Sequence, residues 1–252
     1  KDFQMDSIIT GSRNYAFTSE AFHFRNGQNR MGYSALLLMD QSGSIASTDR
    51  NNYRIDAAKA FCANLGVNDK IVLWSFAGSS HKEYGNGYTT DTASVISQIE
   101  ELRGKHGGGT PLYKSQLAAI EYSYLQASGS NKAVMTFTDG QNTGSGRPED
   151  VISAANSKNV HLYNVGLGDA ETELLCRQAV QTGGAFMYAK DARQLISMFG
   201  NLGKLLDRTA AVYHTEWLVN GSREFRSGTL VHSLNIQLPG GEKVTVPFTL
   251  DY

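Results

Sequence analysis

The sequence has little charge of either sign, and the two signs nearly balance. It contains 23 Lys and Arg against 24 Asp and Glu, and charged residues make up 19% of its 252 residues. A chain with a net charge of -1 lacks the excess of positive charge typical of proteins that bind DNA, RNA or an anionic membrane surface. We therefore exclude nucleic acid as a partner and expect recognition to be local. A charged fraction below the roughly 25% of average soluble domains favours a location outside the cytoplasm.

Cysteine is scarce, and long apolar runs are absent. Cys62 and Cys176 are the two cysteines, and they lack the spacing of a zinc or redox site. A single disulfide and two buried free thiols remain equal alternatives. No run approaches the roughly 18 apolar residues of a membrane span, so we expect no span in this chain. The first residue is Lys1 rather than Met, which fits a processed or trimmed chain and leaves open whether a signal peptide or lipid anchor preceded it.

The motifs of common catalytic sites are also missing. Lys105 follows a glycine but is not followed by the Ser or Thr of a phosphate-binding loop. Ser42 does not belong to a Gly-x-Ser-x-Gly elbow, because Asp40 occupies the first position. The six histidines stand singly, and we interpret them as surface or packed residues; His106 is near enough to Thr110 in sequence to rim a site there. We predict that the chain is not an enzyme.

Between about residues 32 and 206, short apolar runs alternate with longer amphipathic stretches. This pattern predicts an α/β fold in which helices cover both faces of a mostly parallel sheet, because strands buried on both faces read as nearly uninterrupted apolar runs. The predicted strands are residues 33–39, 70–76, 132–137, 160–165 and 185–189. The predicted helices are about residues 53–65, 92–102, 111–125, 148–156, 170–181 and 192–207. Tyr84 and Tyr88 are assigned to a polar, aromatic connecting loop.

The pattern changes at both ends of the chain. Residues 212–218, 230–238 and 243–250 read as strands separated by turn residues, and the first thirty residues also look extended. Neither flank could easily bury a core alone. We therefore predict a small β-module built from both flanks. The chain is divided into an N-terminal β segment (1–31), an α/β domain (32–207) and a C-terminal β segment (208–252) that packs with the first.

Three polar loops of the α/β domain carry the residues that suggest chemistry. Asp40, Ser42 and Ser44 follow the first predicted strand, Thr110 precedes a helix, and Asp139 ends another strand. Ligands of α/β sheets bind at the carboxyl ends of strands. Carboxylate and hydroxyl oxygens suit a hard cation. Each loop alone is typical of a cap or turn, but the three together predict a divalent-cation site.

In their order, strand-end placement and wide spacing, these five residues resemble the metal-ion-dependent adhesion site of the von Willebrand factor A (vWA) family, over about residues 32 to 206. The resemblance implies a Rossmann-like, doubly wound sheet and a complete site. Ser42, Ser44 and Thr110 would be hydroxyl ligands, and Asp40 and Asp139 would bind directly or through water. It implies Mg²⁺ as the cation, with Mn²⁺ or Ca²⁺ as alternatives. The flanks resemble those of bacterial secreted or lipoprotein members.

The resemblance also implies a function. Two carboxylates neutralise a divalent cation, so a near-octahedral Mg²⁺ shell keeps water in positions that an Asp or Glu of a protein ligand can take. We expect an extracytoplasmic adhesion or protein-binding module, secreted, periplasmic or surface-anchored, whose oligomeric state stays open. The alternative is a structural or scaffold subunit of a cell-envelope assembly, in which the metal fixes loop geometry. Gln141 departs from the acidic residue that some adhesive members carry there. The family also couples ligation to sliding of its last helix, here residues 192–207.

Overall fold

The computed structural model describes residues 8–10, 13–15, 17–25, 32–168, 170–189, 212–219, 229–237 and 243–251. The chain divides into two compact units. Lys1–Arg25 and Ala211–Tyr252 form one unit, and Asn26–Ala210 forms the other. The domain boundaries predicted after residues 31 and 207 fall outside the described residues, as does the predicted last helix, 192–207, and these stay predictions.

Strands and helices are numbered in chain order. The strands are Ile8–Thr10 (β1), Arg13–Tyr15 (β2), Phe17–Arg25 (β3), Ser34–Asp40 (β4), Lys70–Ala77 (β5), Ser80–Thr89 (β6), Lys132–Thr138 (β7), Val160–Leu167 (β8), Ala185–Ala189 (β9), Val212–Val219 (β10), Thr229–Gln237 (β11) and Lys243–Asp251 (β12). The helices are Ile45–Thr48 (α1), Tyr53–Ala63 (α2), Thr92–Glu100 (α3), Leu112–Gln126 (α4), Pro148–Lys158 (α5) and Thr172–Gln181 (α6).

The larger unit contains a six-stranded sheet in the order β6-β5-β4-β7-β8-β9. All neighbouring strands are parallel except β6, which runs antiparallel to β5 at one edge. The chain starts this sheet at β4, builds outward to β6, and then returns to the other side of β4 to add β7. The reversal of strand order between β4 and β7 opens a crevice at their carboxyl ends, where ligands of doubly wound sheets bind.

Helices cover both faces of this sheet, which confirms the predicted α/β architecture. The seven residues of β4 are all buried, and alternate side chains enter different cores. Leu37 packs in the core formed with α2 and α3, where Phe61 of α2 is fully buried. Leu38 packs in the core on the opposite face with α4 and α5, together with Ile120. A strand buried on both faces therefore reads as an uninterrupted apolar run.

One secondary-structure prediction was wrong. Tyr84 and Tyr88, assigned to a loop, lie in β6. The hydroxyl of Tyr84 is 3.2 Å from Ser75 Oγ, and that of Tyr88 is 2.8 Å from Ser123 Oγ, so both tyrosines attach the strand to the domain. Gly85 has a φ of 74°, a backbone conformation that residues with a Cβ rarely adopt. β6 is an edge strand with polar residues on its exposed side, so it contains no apolar run from which a strand could be predicted.

The smaller unit is built from antiparallel strand pairs. β1 pairs with β2, and β11 pairs with β12. β3 pairs with β10 from Arg25 opposite Val212 to Phe17 opposite Val219, with a register shift between Glu216 and Trp217. The pairing of β3 with β10 joins a strand from each flank of the chain.

Two further expectations concern the cysteines and membrane spans. Cys62 is buried and Cys176 is partly buried, and both are free thiols, so the disulfide alternative is wrong. Among the helices that the structure describes, none is long and apolar enough to cross a membrane.

Candidate metal centre

Two aspartates lie at the crevice where the strand order reverses. Asp40 is the last residue of β4, and Asp139 directly follows β7. Because β4 and β7 are neighbouring parallel strands, their carboxyl ends meet at one edge of the sheet. Both aspartates are buried, with exposed fractions of 0% and 4%. Two acids are thus held close together away from bulk water.

The Asp40 carboxylate accepts hydrogen bonds on both of its oxygens. Ser42 N donates to Oδ1 over 2.7 Å, and Thr138 Oγ1 donates to Oδ2 over 2.6 Å. Burial nevertheless raises the pKa of Asp40 to about 6; the hydrogen bonds from Ser42 and Thr138 lower it, and the charge of Asp139 raises it. Neither aspartate forms an ion pair with a basic side chain in the described part of the chain. A bound cation would supply the missing positive charge.

Two serine hydroxyls connect the aspartates. Ser42 and Ser44 occupy alternate positions of the loop after β4, and their Oγ atoms are 3.1 Å apart. Ser44 Oγ donates to Asp139 Oδ1 over 2.8 Å, which joins this loop to the end of β7. Ser42 is buried, whereas Ser44 is exposed. The hydroxyls therefore lie between the buried carboxylates and solvent.

Thr110 reaches the same place from the loop before α4. It is 4% exposed, and its backbone N–H donates to Thr143 Oγ1 over 2.7 Å. A Cβ added at Gly140 would lie 3.3 Å from Thr110 Oγ1 and 3.4 Å from Ser44 Oγ. These two hydroxyls thus approach one point beside Gly140, where a side chain would crowd them. The structure therefore brings all five residues singled out from the sequence together.

Backbone hydrogen bonds between glycine-rich loops hold the site. Gly43 N donates to Gly108 O over 3.0 Å, and Gly107 N donates to Gln41 O over 2.8 Å. Gly108 has a φ of 78°, and a Cβ there would lie 2.9 Å from the backbone of Gly78. Glycine is therefore required at Gly108 both by conformation and by close approach.

The sequence reasoning missed several side chains around these ligands. Thr48, at the end of α1, brings its Oγ1 into short contact with Asp139 Oδ2. Behind the loop, a guanidinium nitrogen of Arg54 donates to the side-chain oxygen of Gln41, the residue between Asp40 and Ser42. Arg54 also forms a buried ion pair with Asp49 over 2.9 Å. No spacing pattern marks these residues, because their contacts depend on the folded positions of α1 and α2.

The donor set fits a hard divalent cation. Within the described residues, no group of three or more His, Cys, Asp and Glu side chains is arranged to hold a metal. Hydroxyls must therefore complete any cation site made from Asp40 and Asp139, and an all-oxygen set of carboxylates and hydroxyls suits Mg²⁺, Mn²⁺ or Ca²⁺. His106 and Gln141 are both exposed, His106 in the loop that leads to Thr110 and Gln141 in the loop that follows Asp139.

A family model for the von Willebrand factor type A domain matches residues 36–201. The chain belongs to the von Willebrand factor type A domain family. vWA domains are generally metal-dependent adhesion or protein-interaction modules without enzymatic activity, and their adhesion site binds a divalent cation. The matched region includes every residue of the candidate site.

Similar proteins support the vWA fold. Human calcium-activated chloride channel regulator 4 is 26% identical over an alignment 184 residues long, which covers 66% of this chain and 18% of that protein. Proximal thread matrix protein 1 from the mussel byssus, solved with a zinc-occupied metal-ion-dependent adhesion motif, has a TM-score of 0.61 and 17% identity and covers 78% of this chain and 50% of its own. A vWA protein from Catenulispora acidiphila has a TM-score of 0.59 and 14% identity, and the match covers 96% of this chain and 74% of that protein. At such identities the two structures show the fold alone.

Proposed function

We propose that this chain is an adhesion or protein-binding module whose metal-ion-dependent adhesion site is completed by an acidic residue of a partner. The convergence of two buried aspartates and three hydroxyls, with no basic side chain on either aspartate among the described residues, carries the proposal. The ligands of the cation would be Asp40, Ser42, Ser44, Thr110 and Asp139.

The charges of these ligands favour a carboxylate partner. Asp40 and Asp139 together balance a divalent cation, and the hydroxyls add no charge. Mg²⁺ is reluctant to lose all its water, so positions not taken by this chain stay with water and are open to exchange. Ser44 and Gly43 are exposed, which leaves a route from solvent to these positions. We propose Mg²⁺ as the resident cation, with Mn²⁺ and Ca²⁺ as competitors.

We also propose an extracytoplasmic location, secreted, periplasmic or surface-anchored. The low fraction of charged residues supports it. The resemblance of the flanks to those of bacterial secreted or lipoprotein members supports a cell envelope. The proposed plan is a vWA domain, residues 32–207, inserted between β segments 1–31 and 208–252.

Water relaxation by bound Mn²⁺ tests the open positions. The probes are the peptides acetyl-Gly-Glu-Gly-amide and acetyl-Gly-Gln-Gly-amide, added to the Mn²⁺-loaded chain. The Glu peptide should displace water from the cation and reduce water-proton relaxation, and the neutral Gln peptide should not. Asp139→Ala should remove both Mn²⁺ binding and the response. Equal responses to the two peptides, or none to either, would contradict a partner-completed site.

A scaffold role is the second candidate, and the backbone hydrogen bonds that join Gly43 to Gly108 and Gln41 to Gly107 favour it. In that role the cation chiefly fixes loop geometry. Circular dichroism of Asp139→Ala separates the two functions. Loss of the fold would favour the scaffold, whereas loss of cation binding in a folded chain favours adhesion. A metal-dependent hydrolase is the third class, and ester or phosphate hydrolysis that disappears in Asp40→Ala would establish it.

A further inference from the structure

Both oxygens of Asp139 contact hydroxyls from the same segment. Ser44 Oγ donates to Oδ1 over 2.8 Å, and Thr48 Oγ1 makes a short contact with Oδ2. Ser44 immediately precedes the four-residue helix α1, and Thr48 is its last residue. The segment thus holds Asp139 at two points.

Thr48 itself is fixed by contacts on two sides. Its Oγ1 lies 2.7 Å from Ser44 O, one helical turn earlier. Its methyl group lies against Gly168, after β8, because a Cβ added at Gly168 would be only 2.5 Å from Thr48 Cγ2. Gly168 has a φ of 61°, so both conformation and space require glycine there. The hydroxyl has one proton, which either Ser44 O or Asp139 Oδ2 can accept, and with little room to turn the side chain keeps Oγ1 beside Asp139.

We propose that Thr48 is a positioning residue of the metal site, which orients the Asp139 carboxylate for cation binding; this rests on the proposed function. A carboxylate that binds a cation through one oxygen can swing, and a donor on its other oxygen restricts that motion. Hydrogen-bond partners of metal ligands are each typically worth about 10–100-fold in metal affinity. Asp40 has the corresponding contact from Thr138 Oγ1, at 2.6 Å.

The chain offers a matched control on the same helix. Ser47 Oγ donates to Ser44 O over 2.9 Å, as Thr48 Oγ1 also can, but Ser47 has no contact with Asp139 among the described residues. Ser47→Ala therefore removes a hydroxyl that caps the same backbone carbonyl. It separates support of the short helix from orientation of the carboxylate.

The test is calorimetric titration of Mn²⁺ into the chelator-stripped full chain and its variants. We expect Thr48→Val to weaken binding about 10–100-fold. Thr48→Ser, which keeps the hydroxyl, and Ser47→Ala should bind like the wild type. Wild-type affinity in Thr48→Val would overturn the proposal. So would an equal loss in Ser47→Ala, or a Thr48→Ser variant as weak as Thr48→Val, because the methyl contact with Gly168 would then be what matters.

Thermal unfolding of each variant in chelator shows whether it is folded before titration. If Thr48→Val does not fold, Thr48→Ala takes its place, because it adds no atoms to the space beside Gly168. No binding by the wild type would refute the metal site itself and this proposal with it. Normal binding by the wild type with no effect at Thr48 would refute the positioning role alone.

Discussion

Asp49 and the pair of Asp40 and Asp139 are all buried acids, but they have different surroundings. Asp49 meets the Arg54 guanidinium at 2.9 Å and accepts the backbone N–H of Tyr53 at 2.7 Å. Asp40 and Asp139 meet hydroxyls and a backbone N–H, and no basic side chain, in the described part of the chain. Asp49 thus has a cation from the chain itself, whereas Asp40 and Asp139, in the proposed site, would take theirs from solution.

The structural ion pair also supports the ligand loop. Arg54 donates to the side-chain oxygen of Gln41, and the side-chain nitrogen of Gln41 donates to Leu102 O over 3.0 Å. Gln41 lies between Asp40 and Ser42, the first two ligands of the proposed site, so its hydrogen bond from the buried Arg54 stabilises the ligand loop. Burying an unpaired charge costs several kcal/mol, which explains why Asp49 needs Arg54.

The largest effect should follow from breaking that ion pair. Arg54→Met leaves Asp49 buried without its cation and should lower the free energy of unfolding by about 3–5 kcal/mol. Urea unfolding of the chelator-stripped chain measures this loss, and Mg²⁺ should enlarge it, because Arg54 also supports the ligand loop through Gln41. Adding Asp49→Asn to Arg54→Met should restore part of the stability. A loss below about 1 kcal/mol is the range of an exposed ion pair. It would mean that Asp49 does not need Arg54, and the contrast with Asp40 and Asp139 would disappear.

The next largest effect is stabilisation by the cation. At a free Mg²⁺ concentration about 100 times the Kd, the wild type should gain about 2.7 kcal/mol over the chelator-stripped chain. Asp40→Asn removes one of the two charges that attract the cation and should abolish that gain. Thermal melts across a Mg²⁺ series measure both. If Asp40→Asn gained as much as the wild type, the cation would be acting elsewhere.

The smallest effect concerns Glu100, a partly exposed acid with basic partners. Hydrogen bonds from Arg103 and Lys59 lower the pKa of Glu100 to about 2 from its ordinary 4.5. Because the pKa is lower in the folded chain, this stabilisation is present above pH 4.5 and is lost as the pH falls toward 2. Solvent screening limits it to below about 1 kcal/mol. Melts of Glu100→Gln and wild type should differ at pH 7 and converge below pH 3; a constant difference would contradict this origin.

The fold was predictable where strands are buried. The runs that became β4, β5, β7 and β8 are apolar because both faces of each strand are covered, so sequence pattern and structure report the same fact. β9 was also recognised as an apolar run, although it is an edge strand in which no described side chain is fully buried. β6 was missed because an edge strand carries polar residues. α1 was missed because its four residues span barely one helical turn, too short for any periodicity.

The five proposed ligands were predictable because each sits on a strand-end or helix-start loop, and three such loops match the pattern of one family. Their supporting residues were not. Thr48 lies on a short helix with no motif around it, and it reaches Asp139 only because β4 and β7 are neighbours. The pairing of Arg54 with Asp49 similarly depends on the turn between α1 and α2.

The most direct test of the cation site is calorimetric titration of Mg²⁺ into the chelator-stripped chain and into the Asp40→Ala/Ser42→Ala variant. Saturable one-to-one binding by the wild type that is lost in the folded variant is the expected result. Equal binding by both proteins, or binding by neither, would contradict a divalent-cation site at the carboxyl ends of β4 and β7.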